Sequence, residues 1–151
     1  MDENIYSPYK AVHHLKRLVE VKGGIVTRPI NVQIDWTNAC NLDCSFCIYR
    51  NAGMDIEGMR FDPKISIPKK RGLQLLNEIA EIGVLSIENT GGGEPTLHPN
   101  FVDFAEKAKR LGLKQGLITN GTLLKDKIDV VRDFEWVRFS VDAATPETYE
   151  D

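Results

Sequence analysis

Histidine and cysteine are scarce in this chain, three of each in 151 residues, and no apolar run approaches the roughly 20 residues that a membrane helix needs. Neither sign of charge dominates: Lys and Arg total 19, Asp and Glu 22, for a formal net charge of −3. That balance carries no specific nucleic-acid signal and no basic patch for an acidic membrane. The opening Met1-Asp2-Glu3-Asn4 lacks the basic start of a secretory signal, so the expected address is cytoplasmic. What is present, 42% hydrophobic and 27% charged residues, reads as one soluble folded domain with a modest core, neither disordered nor fibrous.

The three cysteines fall within eight residues, Cys40-Asn-Leu-Asp-Cys44-Ser-Phe-Cys47. An odd number leaves one thiol over and excludes a disulfide framework. Grouped thiols in a reducing compartment are soft ligands for zinc, copper(I) or an iron–sulfur centre. Structural zinc asks for four ligands, usually two separated pairs, and the second pair is missing here. His13, His14 and His98 stand at no short ligand spacing from the cluster; the first two read as helix-surface residues. A cubane iron–sulfur cluster normally takes four cysteines. Three would leave one iron open, and an open coordination position is where a substrate binds in catalytic metal sites.

Apolar periodicity organises the rest. Val12, Leu15, Leu18 and Val19 recur at helical spacing, with Gly23-Gly24 as the stop. Residues 30–36 alternate with period two and form the first expected strand, directly before the cysteines. Leu73, Leu76, Ile79 and Ala80 define a helix ending near Gly83; Val84–Asn89 is a second strand. Phe101, Phe104, Ala105, Ala108 and Leu111 mark another helix, Leu113–Ile118 a third strand, Leu123–Val131 a short helix and Trp136–Val141 a fourth strand. Thr145-Pro146-Glu147 opens a further helix. Repeated βα units with short linkers imply an α/β fold with a parallel sheet. The one long connection, Asn51–Lys64, reads either as a lid or substrate contact over the active face or as an inert insertion.

In such folds the ligand site lies at the carboxyl ends of the strands. Each unusual segment falls there: the cysteines, Gly91-Gly92-Gly93-Glu94-Pro95, Thr119-Asn120-Gly121 and Ser140-Val141-Asp142. Three glycines remove every β-carbon from a turn and let backbone groups approach a small polar ligand, although a plain tight turn is the alternative. The run is neither a dinucleotide fingerprint nor a phosphate loop. Thr119, Asn120 and Ser140 suit a carboxylate or ribose hydroxyls, or serve as turn formers and caps. Trp36 and Trp136 read as packing residues, and Lys69-Lys70-Arg71 as a solvated patch.

Cys40-x-x-x-Cys44-x-Phe-Cys47 resembles the signature of the radical S-adenosylmethionine (radical SAM) enzymes, and the resemblance extends from Gln33 to Asp142. It implies a partial (β/α)6-type barrel of about four βα units, residues 30–151, after an N-terminal helical extension, residues 1–29. In that family the three thiolates hold a [4Fe–4S] cluster, and S-adenosylmethionine chelates the fourth iron. Reductive cleavage then yields a 5′-deoxyadenosyl radical that abstracts a hydrogen atom. The resemblance implies that Gly91, Gly92 and Gly93 bind the methionine amino group, with Glu94 fixing the loop and the ammonium. It places Thr119, Asn120 and Ser140 near the carboxylate and ribose, and Phe46 and Tyr49 at the adenine. Asp142 resembles the acidic residue that often follows, and His98 is read as a hydrogen-bonded loop residue holding the glycine turn. The glycine and Thr-Asn-Gly motifs look closest to molybdenum-cofactor, peptide-modifying and sulfatase-maturing enzymes. A low-potential donor such as flavodoxin or ferredoxin is implied, with an unidentified small-molecule, peptide or nucleotide-derived substrate. Because the family's barrel usually has six units, C-terminal truncation is expected; a non-catalytic fragment and a zinc-holding module are the rival readings.

Overall fold

The computed structural model describes residues 10–51, 61–145 and 147–148. Most of the expected lid segment, residues 52–60, lies outside them, as does Pro146 of the last expected helix start. At that start Thr148 N donates to Thr145 Oγ1 at 3.3 Å, the bond of a helix cap.

Four strands form one parallel sheet in sequential order: β1 (Asn31–Asp35), β2 (Ser86–Thr90), β3 (Lys114–Thr119) and β4 (Trp136–Phe139). The expected α/β architecture is present. Sequential order with right-handed crossovers puts every connecting helix on one face, the arrangement of a barrel wall. The helices are α1 (Leu15–Lys22), α2 (Ile48–Asn51), α3 (Lys69–Glu81), α4 (Phe101–Arg110) and α5 (Ile128–Val131). α4 packs on β3 and touches α3 and α5. Glycine ends α3 and α4 in the same way. At Gly83 and Gly112, φ of +79° and +73° lets the next amide reach back to Ile79 O and Ala108 O, so the chain turns straight into β2 and β3.

The core lies between the sheet and these helices. Trp36, Leu76, Ile87, Phe101, Phe104, Ala108 and Leu117 are buried there. Phe104 stacks on Trp36 with ring centroids 4.3 Å apart, and it fits because Gly72 of α3 has no side chain. Trp36 is therefore a packing residue, and its Nε1 also donates to buried Asn89 Oδ1 at 2.8 Å. The register places Gln33, Glu88, Gly116 and Trp136 in one row on the opposite face, with Asp35, Thr90, Ile118 and Arg138 in the next. Trp136 lies across Gly116, and Gln33 Nε2 donates to Glu88 Oε1 at 2.8 Å. The face toward the barrel interior is thus polar except where Trp136 and Ile118 stand.

The N-terminal helix carries the expected apolar stripe, but among the described residues that stripe is not packed: no residue of α1 is buried, and Leu15 and Val19 are 59% and 68% exposed. Arg17 holds it instead, donating to the carbonyls of Arg28, Pro29 and Gly83.

Candidate functional site

The cysteine motif is delivered by a two-sided backbone ladder. Past β1, Trp36 O accepts from Ile67 N and Asn38 N donates to Ile65 O, both at 2.9 Å. On the other side Thr37 O accepts from Gly93 N at 3.1 Å and Ala39 O from Glu94 N at 2.8 Å. Alternate residues of an extended strand face opposite edges, so one short segment is fixed by two loops at once. The Thr37 and Ser66 hydroxyls, 2.6 Å apart, add a side-chain tie. Cys40 follows immediately.

This ladder changes the meaning of the glycine run. A β-carbon on Gly93 would overlap the Ala39 carbonyl, and one on Gly92 would meet Phe61 at 2.7 Å and Asn38 Oδ1 at 3.0 Å. The glycines are required for the approach of two protein loops. With the Gly93 and Glu94 amides spent on Thr37 and Ala39, the glycine groups suited to a cationic ligand are carbonyls.

Glu94 is 2% exposed. Its Oε1 accepts from Thr96 N at 3.0 Å, from the Thr96 hydroxyl at 2.5 Å and from the Thr119 hydroxyl at 2.7 Å, while Oε2 accepts from Asn120 N at 2.8 Å. The carboxylate therefore bolts the loop after β2 to the end of β3. Thr119, 2% exposed, gives its only hydroxyl proton to Glu94 and accepts from Gly121 N, so it has no proton to offer a carboxylate ligand. Asn120 and Ser140 are better exposed. Ser140 N continues the β3–β4 ladder by donating to Thr119 O at 2.9 Å.

His98 is a buried, hydrogen-bonded loop residue. Its Nδ1 accepts from Asn100 N, so Nε2 carries the proton and donates to Ile67 O at 3.0 Å. Burial holds its pKa below the ordinary imidazole value. It ties the loop after β2 to the strand that flanks the cysteine entrance.

A cavity of about 630 Å³ opens where these loops meet. Cys40, Cys44 and Cys47, Phe46 and Tyr49, Gly91, Gly92, Gly93 and Glu94, Thr119, Asn120 and Ser140 all line it, so every residue nominated from the sequence is brought to one place. Phe46 is 65% exposed, so it is not part of the core. Asp142 also lines the cavity. Residues the sequence did not nominate include Thr90 and Ile118 on the wall, and Asn41 and Thr122 beside it. Asn41 directly follows the first cysteine and Thr122 follows Thr-Asn-Gly, the only local signals that point to them.

The thiols are half-buried and form no disulfide. Leu42 N donates to Cys40 Sγ at 3.5 Å, and Cys47 N to Cys44 O at 3.0 Å. Burial, then the nearness of Cys40, Cys47 and Asp142, pushes the Cys44 thiol up. Gathering three thiolates and a carboxylate is unfavourable without a positive centre, and bound metal reverses that sign. A structural zinc asks for four ligands around one ion, whereas a cubane places its irons at separate corners and takes one thiolate at each, which suits a set of three cysteines.

Residues 34–151 match the family model of the Radical SAM superfamily. Over 97 residues the chain is 35% identical to a tungsten-containing aldehyde ferredoxin oxidoreductase cofactor-modifying protein of Pyrococcus furiosus, covering 63% of this chain and 25% of that one. It is 30% identical over 130 residues to an S-adenosylmethionine-dependent nucleotide dehydratase of Flammeovirga pacifica, covering 85% and 43%. A GTP 3′,8-cyclase of Limosilactobacillus fermentum is 30% identical over 125 residues, covering 80% and 36%. The chain thus spans less than half the length of these relatives. Among solved structures, Streptococcus suis SuiB bound to S-adenosylmethionine aligns with a TM-score of 0.61 at 24% identity, covering 89% of this chain and 30% of SuiB. BtrN in complex with AdoMet and 2-DOIA aligns at 0.64 and 14%, covering 83% and 51%. These structural likenesses carry the fold. With a family match running from β1 through the cysteines to Asp151, on a parallel sheet whose strand ends gather those cysteines at one cavity, the chain belongs to the radical SAM superfamily.

Proposed function

We propose that Cys40, Cys44 and Cys47 hold a [4Fe–4S] cluster, with S-adenosylmethionine bound against its open iron in the adjoining cavity. The observation that carries this reading is the gathering of three cysteines, the glycine loop and the ends of β3 and β4 around one space. Together the two groups supply reductive cleavage of a sulfur–carbon bond, giving a 5′-deoxyadenosyl radical for hydrogen abstraction from substrate. The protein positions them and excludes water.

The glycine carbonyls, at Gly91 and Gly92, accept from the methionine ammonium. Glu94 acts from behind, fixing that loop against Thr119 and Asn120. The donor for the methionine carboxylate or the ribose is Ser140, with Thr119 and Asn120, whose N–H and O–H groups are given to Glu94, Asn41 and Cys40, reduced to positioning. Phe46 and Tyr49 present exposed aromatic surface to the adenine. The domain boundary follows the same division: the residues before β1 form an extension, and those from β1 onward carry the site.

The reducing electron comes from a low-potential flavodoxin or ferredoxin. The polar interior face, with Gln33, Asp35, Glu88 and Arg138 below the cavity, favours a polar substrate, nucleotide-derived or peptide. Relatives named as nucleotide dehydratase, GTP 3′,8-cyclase and PqqA peptide cyclase agree with that class.

Anaerobic reconstitution tests the proposal. About four irons and four sulfides per chain, the content of one cubane, with 5′-deoxyadenosine released on reduction in the presence of S-adenosylmethionine, is the expected result. One zinc and no iron would overturn it. A cluster that forms but never cleaves S-adenosylmethionine would assign this chain a binding role without catalysis.

A further inference from the structure

Beside the cavity three polar side chains close a ring. Asn41 Nδ2 donates to Thr122 Oγ1 at 2.7 Å, Thr122 Oγ1 donates to Asn120 Oδ1 at 2.8 Å, and Asn120 Nδ2 donates to Asn41 Oδ1 at 3.0 Å. Each member gives one hydrogen bond to the next, the arrangement in which bonds polarise one another. The orientation of the Asn120 amide follows from a donor whose role is fixed: Thr122 N donates to its Oδ1 at 3.0 Å. Its NH2 group must then face the cysteine loop. One hydrogen serves Asn41, and the other points at Cys40 Sγ, with nitrogen and sulfur 4.0 Å apart. Asn120 is placed by the loop that Glu94 holds, through the bond from Asn120 N to Glu94 Oε2. A chain of hydrogen bonds therefore runs from the glycine loop through Asn120 to the first cysteine, across 80 residues of sequence.

We propose that Asn120 is a positioning residue for the first cluster ligand: its amide locks the Cys40 loop to the end of β3 and, by donating to Cys40 Sγ, raises the reduction potential of the cluster. This rests on the cluster assignment above and extends it to the redox behaviour of the site. A hydrogen bond to a ligating sulfur withdraws negative charge from it, and that favours the reduced cluster, which carries one electron more. The Leu42 amide already donates to the same sulfur, so Asn120 adds to an existing donor on that ligand. Asn41 and Thr122 act through it. They hold the amide rigid so that the N–H is not lost to solvent.

The test uses the reconstituted chain and follows potential, not turnover. Asn120→Ala removes the amide. Asn120→Asp keeps the shape and the acceptor for Thr122 but removes both N–H groups. At the potential where the unchanged protein is half reduced, each variant is expected to show a ratio of reduced to oxidised cluster lower by about tenfold, equivalent to about 59 mV for a one-electron couple. In heavy water the reduced unchanged protein should show an exchangeable deuteron coupled to the cluster that Asn120→Ala lacks. Thr122→Val opens the ring without touching the sulfur donor; it should speed iron loss to a chelator and shift the potential less than Asn120→Ala does. Equal potentials in the unchanged protein, Asn120→Ala and Asn120→Asp would overturn the proposal while leaving the cluster assignment standing. If only Asn120→Asp loads, the exchangeable deuteron decides the matter, present in the unchanged protein and absent in the variant, because the added carboxylate charge lowers the potential by itself. Failure of the unchanged chain to load any cluster would overturn both readings.

Discussion

Replacing Glu94 by glutamine tests how the site is assembled. The substitution preserves volume and one carbonyl oxygen, but it removes the charge and sets an NH2 group where Oε2 now accepts from Asn120 N. Three donors remain on the other oxygen: Thr96 N, the Thr96 hydroxyl and the Thr119 hydroxyl. Each bond weakens from charge-assisted to neutral, roughly 1 kcal/mol apiece. The fourth becomes donor against donor at a residue 2% exposed, which costs about 1–3 kcal/mol more for the unsatisfied amide. The total is about 4–6 kcal/mol, a large share of the roughly 5–15 kcal/mol of a typical domain. With a urea slope of about 2 kcal/mol/M, the unfolding midpoint of the metal-free chain should fall by about 2–3 M. Circular dichroism in urea at neutral pH measures it. A midpoint within about 0.3 M of the unchanged chain, on the same slope, would refute the claim that this carboxylate joins the β2 and β3 loops. The same measurement on Thr119→Val should show a smaller loss, because only one of the four bonds disappears while the Gly121 amide loses its acceptor.

Cys44→Ala should abolish cluster retention, read as iron and sulfide per chain after anaerobic reconstitution; a variant that still cleaves S-adenosylmethionine would show that Cys44 is not a ligand. Gly93→Ala should destabilise the chain by about 3 kcal/mol through overlap with the Ala39 carbonyl and loss of the two ladder bonds to Thr37 and Ala39. Gly92→Ala meets the Phe61 ring and the Asn38 side chain rather than backbone, so its cost in the same urea titration should be smaller. His98 introduces a pH dependence. Its folded pKa lies below the ordinary 6.5, so the unfolded chain binds the proton first, and stability is whole above pH 6.5 and falls as pH drops from there toward the folded value. In His98→Gln the decline in urea midpoint between pH 7 and 5 should be shallower; an unchanged slope would mean that this imidazole does not titrate differently in the two states.

Much of the site was legible because its signals are local. Cysteine spacing, a glycine run and strand alternation all lie within a few residues, and the rule that parallel strands end at the ligand face collects them without any knowledge of contacts. The turn glycines Gly83 and Gly112 were equally readable, because only a residue without a β-carbon adopts that backbone readily. The helical stripe of α1 illustrates the limit: its periodicity was visible, but what it faces was not, and the apolar side chains stand exposed while Arg17 makes the attachment.

The sequence by itself determined which residues meet at the cavity; only the tertiary structure decided what each does there. Thr119 and Asn120 are adjacent and look equivalent as polar residues at a strand end. The pleat turns the Thr119 hydroxyl inward to Glu94 and leaves the Asn120 amide facing Cys40 and Asn41. The three glycines read as a cradle for a ligand, yet their missing side chains are needed for residues 37–39 to pass. Glu94, Asn120 and Cys40 take their roles from partners 25–80 residues away. Such pairings depend on strand register and loop approach, which are set by packing the whole sheet against its helices and leave no trace in local spacing.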